Sequence, residues 1–278
     1  MNSADRAKIG RIDYANVWPI FHTFDPRLLQ PEAEVRYAVP SRLNRLLLAG
    51  DIDMAAISSF AYAMHADDYF LLPDLSVSAQ GRVRSILLFL KRPLEEALRG
   101  TIALTSTSAT SVNLLKIIAQ LRYGAQPAYA VMEPELETML EQADAALLIG
   151  DSAIRASWRD TGYEVVDLGE LWREWTGHGM TFALLALRRD AAARLGHARI
   201  AAMHEALLAS KQRSLSDPEP LISKACATLG GEPDYWRRYF AGLTYDFGAS
   251  QRSGLELYCR YAVELGLLER VPDMQEWS

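Results

Sequence analysis

Two apolar, strand-like segments frame the chain: residues 85–90, Ser-Ile-Leu-Leu-Phe-Leu, and residues 181–187, Thr-Phe-Ala-Leu-Leu-Ala-Leu. Each is long enough for a buried strand, and charged residues close both. The block between them carries strand-helix units of its own: a strand over 101–105, a helix over 109–123 and a strand over 143–149. A self-sufficient block between two core strands implies an inserted lobe. The chain crosses over once, builds the second lobe and crosses back. The expected division is 1–91 plus 184–278 for the first lobe and 92–183 for the second. A cleft between two such lobes is the natural place for a small ligand.

The first lobe follows the same grammar. A strand is expected over 8–12 and a helix over 41–49, with Leu43, Leu46 and Leu47 on one face and Gly50 as its stop. A strand over 52–57 ends in Ser58-Ser59. Beyond residue 190 the pattern is helical, over 191–214, 218–229, 234–240 and 251–265. Strands alternating with helices imply an α/β protein with mostly parallel sheets and ligands at the C-terminal strand ends. The apolar C-terminal helices leave room for a homodimer face.

Composition narrows the partners. With 29 Lys+Arg against 35 Asp+Glu and no basic run, nucleic acid is not expected as a partner. Apolar runs such as 86–90 and 143–149 are far short of a membrane span, and the N-terminus has no apolar leader core. A cytoplasmic location is the expectation. The two cysteines, Cys226 and Cys259, lie in helical patterns and cannot form a disulfide framework. His22, His65, His178, His197 and His204 show no metal-ligand spacing. A phosphate-loop glycine-lysine pattern, a dinucleotide fingerprint and a nucleophile elbow are all missing. Neither metal nor cofactor is expected.

The strongest local signal lies between a strand and a helix, at Thr105-Ser106-Thr107-Ser108-Ala109-Thr110-Ser111. One helix cap needs one hydroxyl, and this stretch offers six. Unpaired N–H groups at a helix start, surrounded by hydroxyls, suit a carboxylate. Ser58, Ser59 and Asn16 follow strands whose ends open toward the same cleft, although each residue is also ordinary turn chemistry. Asp151 reads either as the cap of a helix over 152–157 or as a substrate contact. Trp172, Trp175, Thr176 and Gly177 read as an aromatic and polar turn before the second crossover. Packing is the better role for Trp172, and Trp175 is open between packing and a cleft wall. From residues alone, this describes a two-lobed, cofactor-free binder of a small anion.

Several segments together resemble the chorismate dehydratase (MqnA) family, which begins the futalosine route to menaquinone. The resemblance opens with Ile9-Gly10-Arg11-Ile12-Asp13-Tyr14-Ala15-Asn16-Val17-Trp18-Pro19-Ile20 and continues through Pro40, Leu43-Asn44, Gly50-Asp51-Ile52-Asp53 and Ile57-Ser58-Ser59. It includes Gly81-Arg82-Val83-Arg84-Ser85, Ser106-Thr107-Ser108-Ala109-Thr110-Ser111-Val112 and the run from Ala143 to Gly150-Asp151. Asp167-Leu168-Gly169, Trp172, Trp175-Thr176-Gly177 and the segment from Phe240 to Phe247-Gly248 complete it, in order along the chain. His178-Gly179-Met180 departs from the apolar stretch with Pro and Phe that is more usual in relatives.

The resemblance implies the two-lobed fold of type II periplasmic binding proteins, used in the cytoplasm as an enzyme. It implies that chorismate, the small-molecule substrate, loses water to give 3-[(1-carboxyvinyl)oxy]benzoate. On this reading Asn16 positions the leaving hydroxyl or a carboxylate. The helix start at Ser106, Ser108, Thr110 and Ser111 anchors one carboxylate, and Ser58, Ser59 and Ser85 face it from the other lobe. Asp151 and Thr176 are further substrate-binding candidates. The rivals are the sister enzyme 1,4-dihydroxy-6-naphthoate synthase and a non-catalytic carboxylate-binding protein. The opening motif looks like the dehydratase, and a solute-binding protein would need export or an anchor.

Overall fold

The most hydrophobic short runs of the chain become its central strands. Ile86–Leu90, Ala145–Ile149 and Met54–Ser58 are buried at every position, as central strands covered on both faces must be. The computed structural model describes residues 6–278; residues 1–5, the polar start read from sequence, lie outside the described residues. In chain order the strands are β1 (Lys8–Ile12), β2 (Glu34–Ala38), β3 (Met54–Ser58), β4 (Tyr69–Ala79), β5 (Ile86–Leu90) and β6 (Thr101–Thr105). They continue with β7 (Ala128–Met132), β8 (Ala145–Ile149), β9 (Glu164–Asp167), β10 (Met180–Arg188) and β11 (Leu243–Thr244).

These strands form two sheets. One has the order β11-β4-β10-β3-β1-β2, the other β7-β6-β8-β5-β9. Both are mixed, which corrects the expectation of mostly parallel sheets. β2, β1 and β3 run parallel, but β10 is antiparallel to both β3 and β4. Likewise β7, β6 and β8 are parallel, whereas β5 is antiparallel to β8 and β9. The reversed strands β5 and β10 are the two that enter from the other sheet. Each is reached by a connection between sheets, not one that returns to the same sheet, so the handed crossover that keeps strands parallel does not govern them.

The chain leaves the first sheet after Ala79 and enters the second at Ile86; it leaves the second after Asp167 and re-enters the first at Met180. Strand pairing thus assigns residues 86–90 to the second sheet and residues 180–183 to the first. The expected division places 86–90 in the first lobe and 180–183 in the second; a buried strand pairs into the sheet it enters, which a local pattern does not reveal.

Local signals explain most helices. Pro40 opens Pro40–Ala49, and Gly50 ends it at φ 80°, donating its N–H back to Leu46. The expected helix over 109–123 is α-helical over Ala109–Ile117 and finishes in a π turn, Ile118–Arg122. The helix expected over 191–214 is two, Arg189–Leu195 and His197–Ser216, split at Gly196 with φ 77°. The aromatic turn expected at Trp172 to Thr176 is instead the last part of a helix, Leu168–Thr176. Asp167 caps it by accepting the N–H groups of Gly169 and Glu170.

One hydrophobic core runs through both lobes, and a smaller cluster around Leu87, Phe89, Met139 and Leu140 covers the far face of the second sheet. The C-terminal helices spend their apolar faces on the main core through Trp236, Tyr239, Phe240, Leu255 and Tyr258. That removes the basis on which a dimer face was expected there. Among the described residues, no helix is long and apolar enough to cross a membrane.

Gly10 shows how tightly β1 is seated. A Cβ there would lie 2.6 Å from Ile52 Cδ1, 2.8 Å from Ala55 Cβ and 2.9 Å from Leu43 Cδ2. Gly10→Ala therefore overpacks a full interior and is expected to cost about 1–3 kcal/mol of stability. Urea unfolding reads this as a lower midpoint; an unchanged midpoint would contradict the tight packing of β1.

Candidate active site

The C-terminal ends of β1, β3, β6 and β8 point toward a common cavity of about 40 Å³ between the lobes. The first lobe contributes Asn16, Ser58 and Phe182, and the second contributes Ser85, Ser108 and Ser111. Of the sequence candidates, Asn16, Ser58, Ser85, Ser108 and Ser111 line this one cavity.

Each reaches the cavity for a local reason. Asn16 sits in the short turn Ala15–Val17 just beyond β1. Its Oδ1 is buried with no hydrogen-bond partner among the described residues. A buried carbonyl-type oxygen left unpaired is costly, and one facing a cavity is suited to a donor on a ligand. Ser58 caps the helix Ser59–Met64, accepting the Ala61 N–H at 3.3 Å, and Asn44 Nδ2 donates to it at 3.2 Å. Ser108 caps Ala109–Ile117, accepting the Ser111 N–H at 3.2 Å and donating to Ser111 Oγ at 3.1 Å. The remaining first-turn N–H groups of that helix make its start electropositive. Ser85 Oγ donates to Val83 O at 3.3 Å and accepts from the buried Tyr239 hydroxyl at 3.2 Å.

Other sequence candidates are used elsewhere. Ser59 is fully buried and donates to Thr181 O at 2.8 Å, tying β10 to the helix that follows β3. Thr110 accepts the Phe60 N–H at 3.0 Å, so its hydroxyl joins the lobes. Ser106 is exposed and donates to Glu133 Oε1 at 3.1 Å. Thr176 donates back to Trp172 O at 2.8 Å within its own helix.

Asp151 is neither a helix cap nor part of the cavity wall. The helix begins one residue earlier, at Gly150, and the Asp151 carboxylate accepts the Ala15 N–H at 3.0 Å. It thereby holds, from the second lobe, the turn that carries Asn16. Sequence reasoning missed Gly150 and Tyr14 as a pair. Gly150 has φ 60°, and a Cβ there would lie 2.7 Å from the Tyr14 ring. A glycine directly after a buried strand was the available signal for this close approach.

Burial pushes the Asp151 carboxyl up from 3.8 to about 6, against the pull of the Ala15 N–H and the nearby Arg155, and Asp13 adds a further push upward. The folded state therefore holds this proton more tightly than the unfolded chain does. Its contribution is fully present below about pH 4 and is lost as the pH rises through 6. Asp151→Asn keeps an acceptor for Ala15 and carries no charge. It is expected to raise the melting temperature at pH 8 by ~3–6 °C and to leave it near wild type at pH 4. A variant less stable than wild type at pH 8 would sink this account.

Among the described residues no group of three His, Cys, Asp or Glu side chains is placed to hold a metal ion. The site offers hydroxyls, one amide and a helix start, all suited to an anionic organic molecule.

Two lobes built on mixed sheets, joined by two crossing segments around a cavity with a few polar groups on a largely apolar wall, define the periplasmic-binding-protein-like class. Solved structures agree. A protein of Archaeoglobus fulgidus superposes with a TM-score of 0.78 at 21% identity, covering 96% of this chain and all of that one. The periplasmic aliphatic sulphonate binding protein of Escherichia coli superposes with a TM-score of 0.66 at 19% identity, covering 99% and 92%. Within this class, a family model described as menaquinone biosynthesis matches residues 7–264, and the chain belongs to that family. It is 35% identical over 275 residues to the chorismate dehydratase of Thermus thermophilus, covering 93% of this chain and 95% of the relative.

Proposed function

We propose that the chain dehydrates chorismate to 3-[(1-carboxyvinyl)oxy]benzoate, as the first step of the futalosine route to menaquinone, in the cytoplasm. The observation that carries this reading is the cavity itself. In a chain akin to a chorismate dehydratase, the unpaired oxygen of Asn16 shares a small cavity between the lobes with Ser85 and a serine-capped helix start.

The chemistry suits these groups. Chorismate carries two carboxylates, and losing its C4 hydroxyl together with the C3 proton makes the ring aromatic. Aromatisation supplies the driving force, so the protein has mainly to orient the substrate and manage charge. The helix start at Ser108 and Ser111 takes one carboxylate. Ser58 faces it, and Ser85 joins by turning its proton away from Val83 O; both donate to the second carboxylate or the ether oxygen. Asn16 holds the departing hydroxyl. No His, Glu or Lys is among the cavity's polar groups, and the substrate's own carboxylate serves as proton acceptor. The proton and the hydroxyl then leave together as water, which balances the step. A homodimer, if formed, uses a surface other than the buried faces of the C-terminal helices.

Incubation of the purified protein with chorismate alone, followed by mass spectrometry, tests this. A product lighter by one water, with aromatic absorbance, is the expected result. Unchanged chorismate that protects the protein against heat would favour a binding protein. Neither turnover nor protection would overturn chorismate as the ligand.

A further inference from the structure

We propose that Asp167 is a positioning residue for the reaction: it locks a strained turn at the lobe crossing and so directs the Ser85 hydroxyl into the cavity. The inference rests on the functional reading above. Its starting point is Arg84, which has φ 58° and is one of only two non-glycine residues with positive φ among the described residues. A residue with a Cβ is held in that region only by its surroundings. Arg84 immediately precedes Ser85, so its torsion sets where Ser85 begins.

The restraint is visible. Asp167 Oδ2 accepts the Arg84 N–H at 2.7 Å, and Oδ1 accepts the Val83 N–H at 3.2 Å. Oδ1 also accepts the N–H groups of Gly169 at 2.9 Å and Glu170 at 3.2 Å. One buried carboxylate therefore grips the first crossing segment and the start of the helix leading into the second. Its position is fixed by β9, where Asp167 pairs with Leu87 of β5. Downstream of the turn, Ser85 O accepts the Gly150 N–H at 2.7 Å, and the Tyr239 hydroxyl donates to Ser85 Oγ. Those bonds form only if the turn delivers Ser85 to that place. Asp167 itself lines a different depression, with Arg82, Glu170 and Tyr235, so it acts without touching substrate.

Asp167→Asn replaces one of the two accepting oxygens with a donor and releases part of the turn. It is expected to lower kcat/KM for chorismate about tenfold in folded protein. Two further readouts separate positioning from mere scaffolding. Adding Arg84→Gly, which adopts positive φ freely, is expected to restore at least ~3-fold of that loss. In a Ser85→Ala background, Asp167→Asn is expected to cost less than ~2-fold more, because both changes remove the same contribution. Loss of heat stability with unchanged kcat/KM would overturn the inference. So would a full tenfold loss in the Ser85→Ala background. Should Asp167→Asn not fold, Arg84→Val puts a β-branched residue at the same strained torsion, and unimpaired turnover by that variant would overturn the inference. Wild-type protein inert toward chorismate would instead overturn the functional reading, and this inference with it.

Discussion

Asn16→Leu lowers kcat for chorismate by about 100-fold or more while the melting temperature stays within a few degrees of wild type. The magnitude is that of removing one preorganised polar group from a transition state. Fold and activity separate here because Asn16 Oδ1 has no partner among the described residues. Removing it breaks no internal hydrogen bond made by that oxygen, and leucine fills a similar volume. Steady-state kinetics and thermal melting decide the matter. Turnover within about threefold of wild type would take Asn16 out of the mechanism.

Trp172→Ala is expected to have the largest effect on stability, about 3–5 kcal/mol. The indole is 0% exposed and its Nε1–H donates to Gly179 O at 3.1 Å. It meets Trp175, Tyr258 and Tyr261 edge to face at centroid distances of 5.9, 6.4 and 5.9 Å. Two of those rings belong to the helix Ala249–Glu264 of the first lobe, so the cavity left behind opens at the lobe junction. Guanidinium unfolding measures the loss, and a value under about 1 kcal/mol would show that neighbouring rings collapse into the space. Trp175 is settled too: it stacks on Tyr261 at 5.0 Å, a packing role.

Most central strands were legible, although the bounds slipped even under full burial: Met54–Ser58 was expected over 52–57 and Ala145–Ile149 over 143–149. β1 and β6 have the bounds read from their apolar runs, and the paired crossover segments announced two lobes. Edge strands were illegible for a physical reason. β2, Glu-Val-Arg-Tyr-Ala, has one flank unpaired and mixes exposed with half-buried positions, so it lacks both a continuous run and a clean alternation. β4 was hidden by Pro73 and by Asp74, whose φ of 56° interrupts the strand period. In the site, Ser58 and Ser59 mark the limit. Adjacent and chemically identical, they are separated only by what faces them: a cavity for one, the Thr181 carbonyl for the other. The Thr181 carbonyl lies 122 residues away in the chain, beyond the reach of any local pattern.

The cavity lies between the lobes and measures about 40 Å³, less than a ring bearing two carboxylates and an enolpyruvyl arm requires. An opening of the lobes is therefore expected to precede binding of chorismate and to follow turnover. The first crossing segment, between Ala79 and Ile86, joins the lobes and also carries Arg84 and the cavity residue Ser85. One stretch of chain thus serves both the joint between the lobes and the chemistry, so a change at Arg84 is expected to touch both.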